Sequence, residues 1–461
     1  MDMTRMVVAL VVGIIILVFL ILKTKIHTFL ALILAALFIG MVGGMPQTEV
    51  VAAITGGFGS TLGSIGIIIG FGIMMGQIFE TSGAATRMAY TFIKLFGKNR
   101  EDEALAVTGF LVSIPIFCDS GFVILSPLAK ALSKQTKKSV ISMGIALAGG
   151  LVITHSLVPP TPGPVGAAGI FGANVGSVIL WGIVVSIPMM IAVIAYAKYM
   201  GKKIYQLPTE DGQDWIRPEN REELENEEIE YNYENLPGAV RAFAPIIVPI
   251  ILILLNTATA LIKVTEDTNK FVVIFREVSN FLGTPIVAVG IGLVLAVFTL
   301  TIGMDRDFVI KDMEKGIQSA GIIILVTGAG GALGMVLRES GVGEYIAEYI
   351  AKTPIPPIFL PFIIATLMRF IQGSGTVAMT TSASITAPIM LALNVNPVFA
   401  TLSACIGSLF FSYFNDSYFW VVNRSLGITE AKEQIRVWSV TSTIAWAVGF
   451  VMLLIINFIF G

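Results

Sequence analysis

The stretch GLVITHSLVPPTPGPVGAAGIFG, residues 150–172, decides the fold. Its two arms are apolar enough to lie in a bilayer, yet Pro159, Pro160, Pro162 and Pro164 crowd six positions between them. Proline lacks an amide donor and clashes with the preceding turn, so a helix must break there. Irregular backbone at membrane depth leaves N–H and C=O groups without partners. It is tolerated only where protein, water or a ligand meets them.

The rest of the chain supports a membrane reading. Of 461 residues, 55% are apolar and 13% charged, about half the ~25% of an ordinary soluble domain. Mean hydropathy is +0.85. A soluble chain of this length needs more polar surface to cover its core, which argues against a soluble enzyme or a disordered protein. A net charge of −2 leaves no general basic surface for nucleic acid. Cys118 and Cys405 give neither a disulfide framework nor a metal-ligand spacing. His27 and His155 are too few for a histidine-rich metal site. Residues 6–22, 26–44, 176–197, 242–262 and 433–460 each approach or exceed the ~20 residues that cross a bilayer. The opening MDMTR has one acid and one base, and no A-x-A site follows. Residues 1–22 therefore read as a retained span, not a signal peptide. No G-x-x-x-x-G-K-[ST] sequence occurs, so no nucleotide or other cofactor is expected and ion coupling is the expected energy source.

Working outward from the break, the spans fall into two groups of five. The first group is 6–22, 26–44, 60–80, 139–172 and 174–200, with a hydrophobic hairpin at 103–133 that does not cross. The second is 241–263, 281–303, 317–338, 397–425 and 433–460, with a hairpin at 356–392. Basic residues mark the cytoplasmic loops. Arg87, Lys94, Lys98 and Arg100 precede the first hairpin, and Lys130, Lys134, Lys137 and Lys138 follow it. Arg306, Lys311 and Lys315 fall on the same side, as do Arg424, Lys432 and Arg436. The second hairpin then opens outward, and both termini lie outside. Residues 201–240 carry eleven acids between Glu210 and Glu234 and read as a solvated acidic linker between the halves.

The halves echo each other. GQIFETSG (76–83) matches GMVLRESG (334–341), 258 residues on. An amphipathic stretch follows each (84–97; 342–352), then a hairpin with a small polar tip, CDSG (118–121) or QGSG (372–375). Each half then has an interrupted span. An odd number of crossings inverts the second repeat relative to the first, and inverted repeats with broken helices mark secondary transporters with a midplane site. The predicted fold is an all-α polytopic membrane protein of two inverted-topology repeats, residues 1–200 and 241–461. Each has about five crossings, a re-entrant hairpin and a broken helix.

Four interruptions supply candidate ligands. In IPIFCDSGFVILSPL (114–128), Asp119 sits at membrane depth, where an ionisable residue is costly and therefore a functional candidate. A half-helix starting at Gly121 would aim its N–H groups at the tip, which suits an anion, with Ser120 beside it; alternatively, Asp119 only caps that helix. In the proline break, Thr154, His155, Ser156 and Thr161 offer hydrogen-bonding groups. His155 can change charge near neutral pH, or hold a backbone carbonyl as a neutral ring. In RFIQGSGTVAMTTSASITAPI (369–389), Gln372, Ser374, Gly375, Thr376, Thr380 and Thr381 suit a polyol. There Arg369 could pair with a substrate carboxylate, pair with an intramembrane Asp, or snorkel to the interface. In SYFNDSYFW (412–420), Asn415, Asp416 and Ser417 interrupt the last broken span. Asp416, Asp119 and His155 are the candidate proton or cation carriers, since burial favours an uncharged carboxyl. The aromatic residues beside Asp416 read as packing or interface anchors. The glycine-rich runs at 66–76 and 328–334 read as close helix contacts.

On these pieces the chain resembles the gluconate permease family, bacterial gluconate:proton symporters of the ion transporter superfamily. G-F-V-I-L-S-P-L (121–128), T-H-S-L-V-P-P-T-P-G-P (154–164), N-D-S-Y-F-W (415–420) and R-V-W-S-V (436–440) carry the resemblance, which runs nearly end to end. It implies a multi-pass inner-membrane transporter for a small hydroxy acid, with homodimers common among such transporters. The chain departs from the gluconate-type pattern at Cys118 and Asp119, where an aromatic and Glu are usual. It departs also at Thr161, where His is frequent, and at Ser417 and Tyr418, where Pro-Gly is common. The expected function is proton-coupled uptake of gluconate or a similar hydroxy-carboxylate. D-serine or another sugar acid, with Na⁺ as the alternative ion, is the second reading. An intramembrane hydrolase built on Ser374 and His155, and a passive channel, are the distant ones.

Overall fold

The computed structural model describes the chain except residues 1–2, 25, 98, 210–213, 219–235, 260–261, 263–268, 343–351, 353 and 414–415. The described chain is almost wholly helical. In the first half, α1 (Met3–Leu22), α2 (Thr28–Gly43) and α3 (Gln47–Thr81) are followed by the amphipathic α4 (Ala84–Phe96). The first hairpin is α5 (Glu101–Val112) and α6 (Cys118–Thr136). The proline break separates α7 (Val140–Leu157) from α8 (Pro162–Phe171), and α9 (Val175–Lys203) closes the half. The second half runs through α10 (Ala239–Thr259), α11 (Lys270–Leu282), α12 (Pro285–Thr299) and α13 (Arg306–Glu339). Its hairpin is α14 (Phe359–Gln372) and α15 (Gly375–Ala392), and its interrupted span is α16 (Pro397–Gly407) and α17 (Ser417–Ser425). A last helix, α18 (Ala431–Gln434) and α19 (Val440–Phe460), is joined through one π-helical turn, Ile435–Ser439. Helices lie at the places of the expected spans and hairpins, and among the described residues five are long and apolar enough to cross a membrane, or up to seven if each bent pair is one span. The amphipathic stretch expected at 342–352 falls mostly outside the described residues.

Apolar side chains pack into two main clusters, with α3 and α15 contributing to both. One apolar cluster joins α1 and α2 to the facing sides of α3 and α13. The larger cluster joins α4 to α9 with α16, α17 and α19. Small residues allow the closest crossings, as membrane helices require. A Cβ on Gly57 of α3 would lie 2.5 Å from the Gly331 carbonyl oxygen of α13, and one on Gly150 of α7 would lie 2.1 Å from the Ala106 oxygen of α5. Gly150→Ala should therefore push two backbones apart and cost about 3 kcal/mol, the upper end for overpacking. Thermal unfolding in detergent checks this, with Gly56→Ala, which meets nothing within 4 Å, as the unaffected control.

Residues 140–168 are buried except for the half-buried His155, so the proline break lies in the protein interior. Helices at the periphery turn Ile15, Phe19, Ile187, Ile191, Phe298 and Phe458 outward, as a lipid-facing surface does.

Two details differ from the sequence reading. The linker does not begin as solvated chain. After α9, Leu207–Pro208 pairs antiparallel with Trp215–Ile216. Gln206 donates to the Leu426 carbonyl at 2.6 Å, and Arg217 holds Glu433 through two bonds of 2.9 and 2.7 Å. This strap ties α9 to the turn after α17. The acids at 219–235 lie outside the described residues. The second difference is α11, which the sequence reading passed over. Its Phe271, Ile274, Val278 and Phe281 are exposed, and it meets α12 at 69°. A short amphipathic helix at this angle suits the membrane interface.

Candidate functional site

Four helix ends meet in the interior, each placed there by a local sequence signal. At the first hairpin, Pro115 and its neighbours turn the chain, and Gly76 of α3 makes room. A Cβ there would lie 2.2 Å from the Pro115 oxygen. Helix α6 begins at Cys118, three residues before the expected Gly121, and Phe117 occupies the cap position without a side-chain bond. Asp119 is thus inside the first turn and is not the cap. Ser417 donates to its Oδ1 at 3.3 Å.

At the proline break, α7 ends at Leu157 and the Pro159–Pro160 peptide is cis. Thr161 stands at the start of α8, and its hydroxyl donates to the Val158 carbonyl at 2.7 Å. His155 lies in the last turn of α7 with its ring 5.6 Å from that of Phe117. Its buried Nδ1 has no hydrogen-bond partner among the described residues, so the backbone-carbonyl alternative finds no support at that nitrogen.

At the second hairpin, Gly373 takes the left-handed conformation (φ 84°) that ends α14, a geometry suited to glycine. Ser374 caps α15, accepting from the Val377 amide at 3.4 Å. The exposed amides of α15 therefore point toward the interior. Arg369, in the last turn of α14, donates to the Gly373 carbonyl and to Asp416. Of the three fates open to Arg369, it pairs with an intramembrane Asp.

At the second interruption, Asp416 caps α17, accepting from the Tyr418 amide at 3.2 Å. Ser412 also donates to Asp416, and the Ser412 oxygen accepts from the Trp438 indole at 2.8 Å. Trp438 lies in the π-helical turn, a distortion often found at functional positions. Arg369 is 6% and Asp416 7% exposed, so the pair is almost wholly removed from water.

These ends enclose a cavity of about 400 Å³, within the ~300–1,000 Å³ typical of small-molecule sites. Asp119, His155, Arg369, Ser374, Gly375, Thr376 and Asp416 all line it. Ser120, Gly121, Thr154 and Thr161 do not. Gly121 packs on Leu151, and Thr154 is buried with an unpartnered hydroxyl. Thr161 borders only a small void with Pro160 and Pro162. Asn415 and the Gln372 side chain lie outside the described residues.

The sequence reading missed Ser408, Ser442 and Val326 on the wall, and it read Tyr418 as packing or an interface anchor; Tyr418 is packed, at 2% exposed, and also lines the cavity. Ser417, one of the interrupting residues the sequence reading named, also lines the cavity. Ser442, a lone serine in an apolar span, carried no signal.

The chemistry of the wall is that of an anion and hydroxyl site. It offers one guanidinium, the amide end of α15 and several hydroxyls. It also carries two carboxylates, so with both ionised its net charge is −1 before any ligand enters.

Comparison with known proteins gives a family and a fold. The family model described as GntP family permease matches residues 5–459. An uncharacterised permease of Haemophilus influenzae is 46% identical, covering 99% of this chain and 93% of that protein. The high-affinity gluconate transporter of Escherichia coli K12 is 32% identical, covering 97% and 98%. Among solved structures, Neisseria gonorrhoeae MtrF, described with a class of antimetabolite efflux pumps, superimposes with a TM-score of 0.65 over 96% of this chain and 97% of that one. At 14% identity that likeness concerns the fold alone.

Proposed function

The chain belongs to the GntP family of permeases, and from that premise we propose that it is a proton-coupled symporter for gluconate or a related small hydroxy-carboxylate in the bacterial inner membrane. As a permease it is a membrane transporter and not an enzyme. Ser374, the nucleophile of the hydrolase alternative, is engaged as a helix cap. In the proposed arrangement, residues 1–200 and 241–461 are repeats of opposite orientation around the central cavity.

The observation that carries the proposal is the buried Arg369–Asp416 pair on the cavity wall. Arg369 is the one Lys or Arg among the described lining residues, so it is the natural partner of a substrate carboxylate. A carboxylate entering a cavity of net charge −1 would raise the charge to −2 in a poorly solvated space, which is expensive. One proton on Asp416 or Asp119 cancels that increment. Protonating Asp416 also weakens its hold on Arg369 and frees the guanidinium for the substrate. Anion and proton therefore enter together for an electrostatic reason. The hydroxyls of Ser374, Thr376 and Ser417 suit the hydroxyl groups of a sugar acid, and His155 faces the same space.

Asp119→Asn tests the proposal. The variant should insert normally and should lose concentrative uptake under a proton gradient, because a carboxamide at this position cannot take up the proton. Full accumulation by the variant would remove Asp119 from the coupling step.

A further inference from the structure

A second cavity of about 420 Å³ lies among α3, α8, α13 and α15. Ser60, Thr61, Gly331, Arg338, Pro388 and Leu391 are on its wall. Helices α13 and α15 both run from the central cavity to this one. Val326 and Thr376 line the first, and Arg338 and Pro388 the second, so each helix advances twelve residues, about 18 Å at 1.5 Å per residue. The seam between them is built from glycines and hydroxyls. A Cβ on Gly330 would lie 2.6 Å from the Ser384 hydroxyl, and one on Gly166 would meet the methyl groups of Thr380 and Thr327 at 2.9 and 3.2 Å. The lysines and arginines near the start of α13 place that end in the cytoplasm, so the second cavity is on the outer side.

Arg338 is the charged group of this outer cavity. Among the described residues its guanidinium has no hydrogen-bond or ion-pair partner. In the sequence match between the halves it stands where Glu80 stands at the inner end of α3. The two aligned positions thus carry opposite charges at opposite faces of the membrane.

We propose that the outer cavity is an anion-capturing vestibule, in which Arg338 binds the carboxylate of an incoming hydroxy acid before it reaches the central cavity. The proposal rests on the symporter reading for the identity of the anion, but not for the selectivity of the vestibule. Arg338 acts on arrival, because a fixed positive charge at a cavity mouth raises the local concentration and on-rate of anions.

The test uses Leu391→Cys, a position 59% exposed on the vestibule wall, in a background carrying Cys118→Ala and Cys405→Ala, because Cys118 lines the central cavity. In membrane vesicles, an anionic methanethiosulfonate reagent should label the introduced thiol faster than a cationic one. Adding Arg338→Gln should lower that rate ratio about fivefold, and Arg338→Lys should keep most of it. In proteoliposomes, Arg338→Gln alone should raise KM for gluconate by a similar factor with kcat within about twofold. An unchanged rate ratio would overturn the proposal. So would a lost ratio with unchanged KM, because the vestibule would then lie off the substrate's route. Equal loss of insertion in the glutamine and lysine variants, with KM unchanged, would assign Arg338 to lipid anchoring and also overturn it. If the wild type carries no hydroxy acid, the symporter reading fails, and the reagent ratio alone judges the vestibule.

Discussion

Replacing Arg369 with glutamine should lower uptake of the proposed hydroxy-carboxylate substrate by about 10- to 150-fold. A charge-assisted hydrogen bond to a carboxylate is worth about 1.5–3 kcal/mol, which corresponds to roughly a 10- to 150-fold change. The substitution removes the one guanidinium on the described cavity wall. It also leaves Asp416 without its cation. Arg369→Lys should recover only part of the activity, because an ammonium does not reproduce the planar fork that reaches both the Gly373 carbonyl and Asp416. Initial rates per milligram of reconstituted protein are the measure. More than a tenth of wild-type uptake in the glutamine variant would contradict a direct role for Arg369.

The second large effect is on stability. Arg369→Gln and Asp416→Asn each leave a buried charge uncompensated, which costs about 3–5 kcal/mol. The double variant leaves no charge and should lose less than either single change. Thermal unfolding of the four proteins in detergent measures the cycle. Losses that simply add would mean that the two residues do not act as a pair. The double variant also separates folding from transport: it should regain stability and remain inactive.

Much of this architecture was legible in the sequence, because polar and proline residues are conspicuous in an apolar background. The four interruptions, both hairpins and the pairing of Asp119, Arg369 and Asp416 with a common site follow from that contrast. The orientation of individual hydroxyls did not. Helix α7 is buried on almost every side, so its sequence has no amphipathic phase to distinguish Thr154 from Ser156. Ser156 lines the cavity and Thr154 does not. The link from Trp438 through Ser412 to Asp416 joins residues 26 and 4 positions apart, which only the folded π-helical turn brings together. The polar tip of the first hairpin suggested a helix start at Gly121, whereas the chain begins the helix at Cys118 with no side-chain cap to announce it. The strap at 206–217 was obscured by the acidic run beyond it. Helix α11 was too short and too mixed in charge to read as a span.

The central claim is that one buried cavity exchanges a hydroxy-carboxylate together with a proton. Its most direct test is uptake of labelled gluconate into proteoliposomes under an imposed inward proton gradient without sodium. The account predicts accumulation above the external concentration that collapses when a protonophore is added. Uptake that only equilibrates, or accumulation that ignores the protonophore and requires sodium, would contradict it.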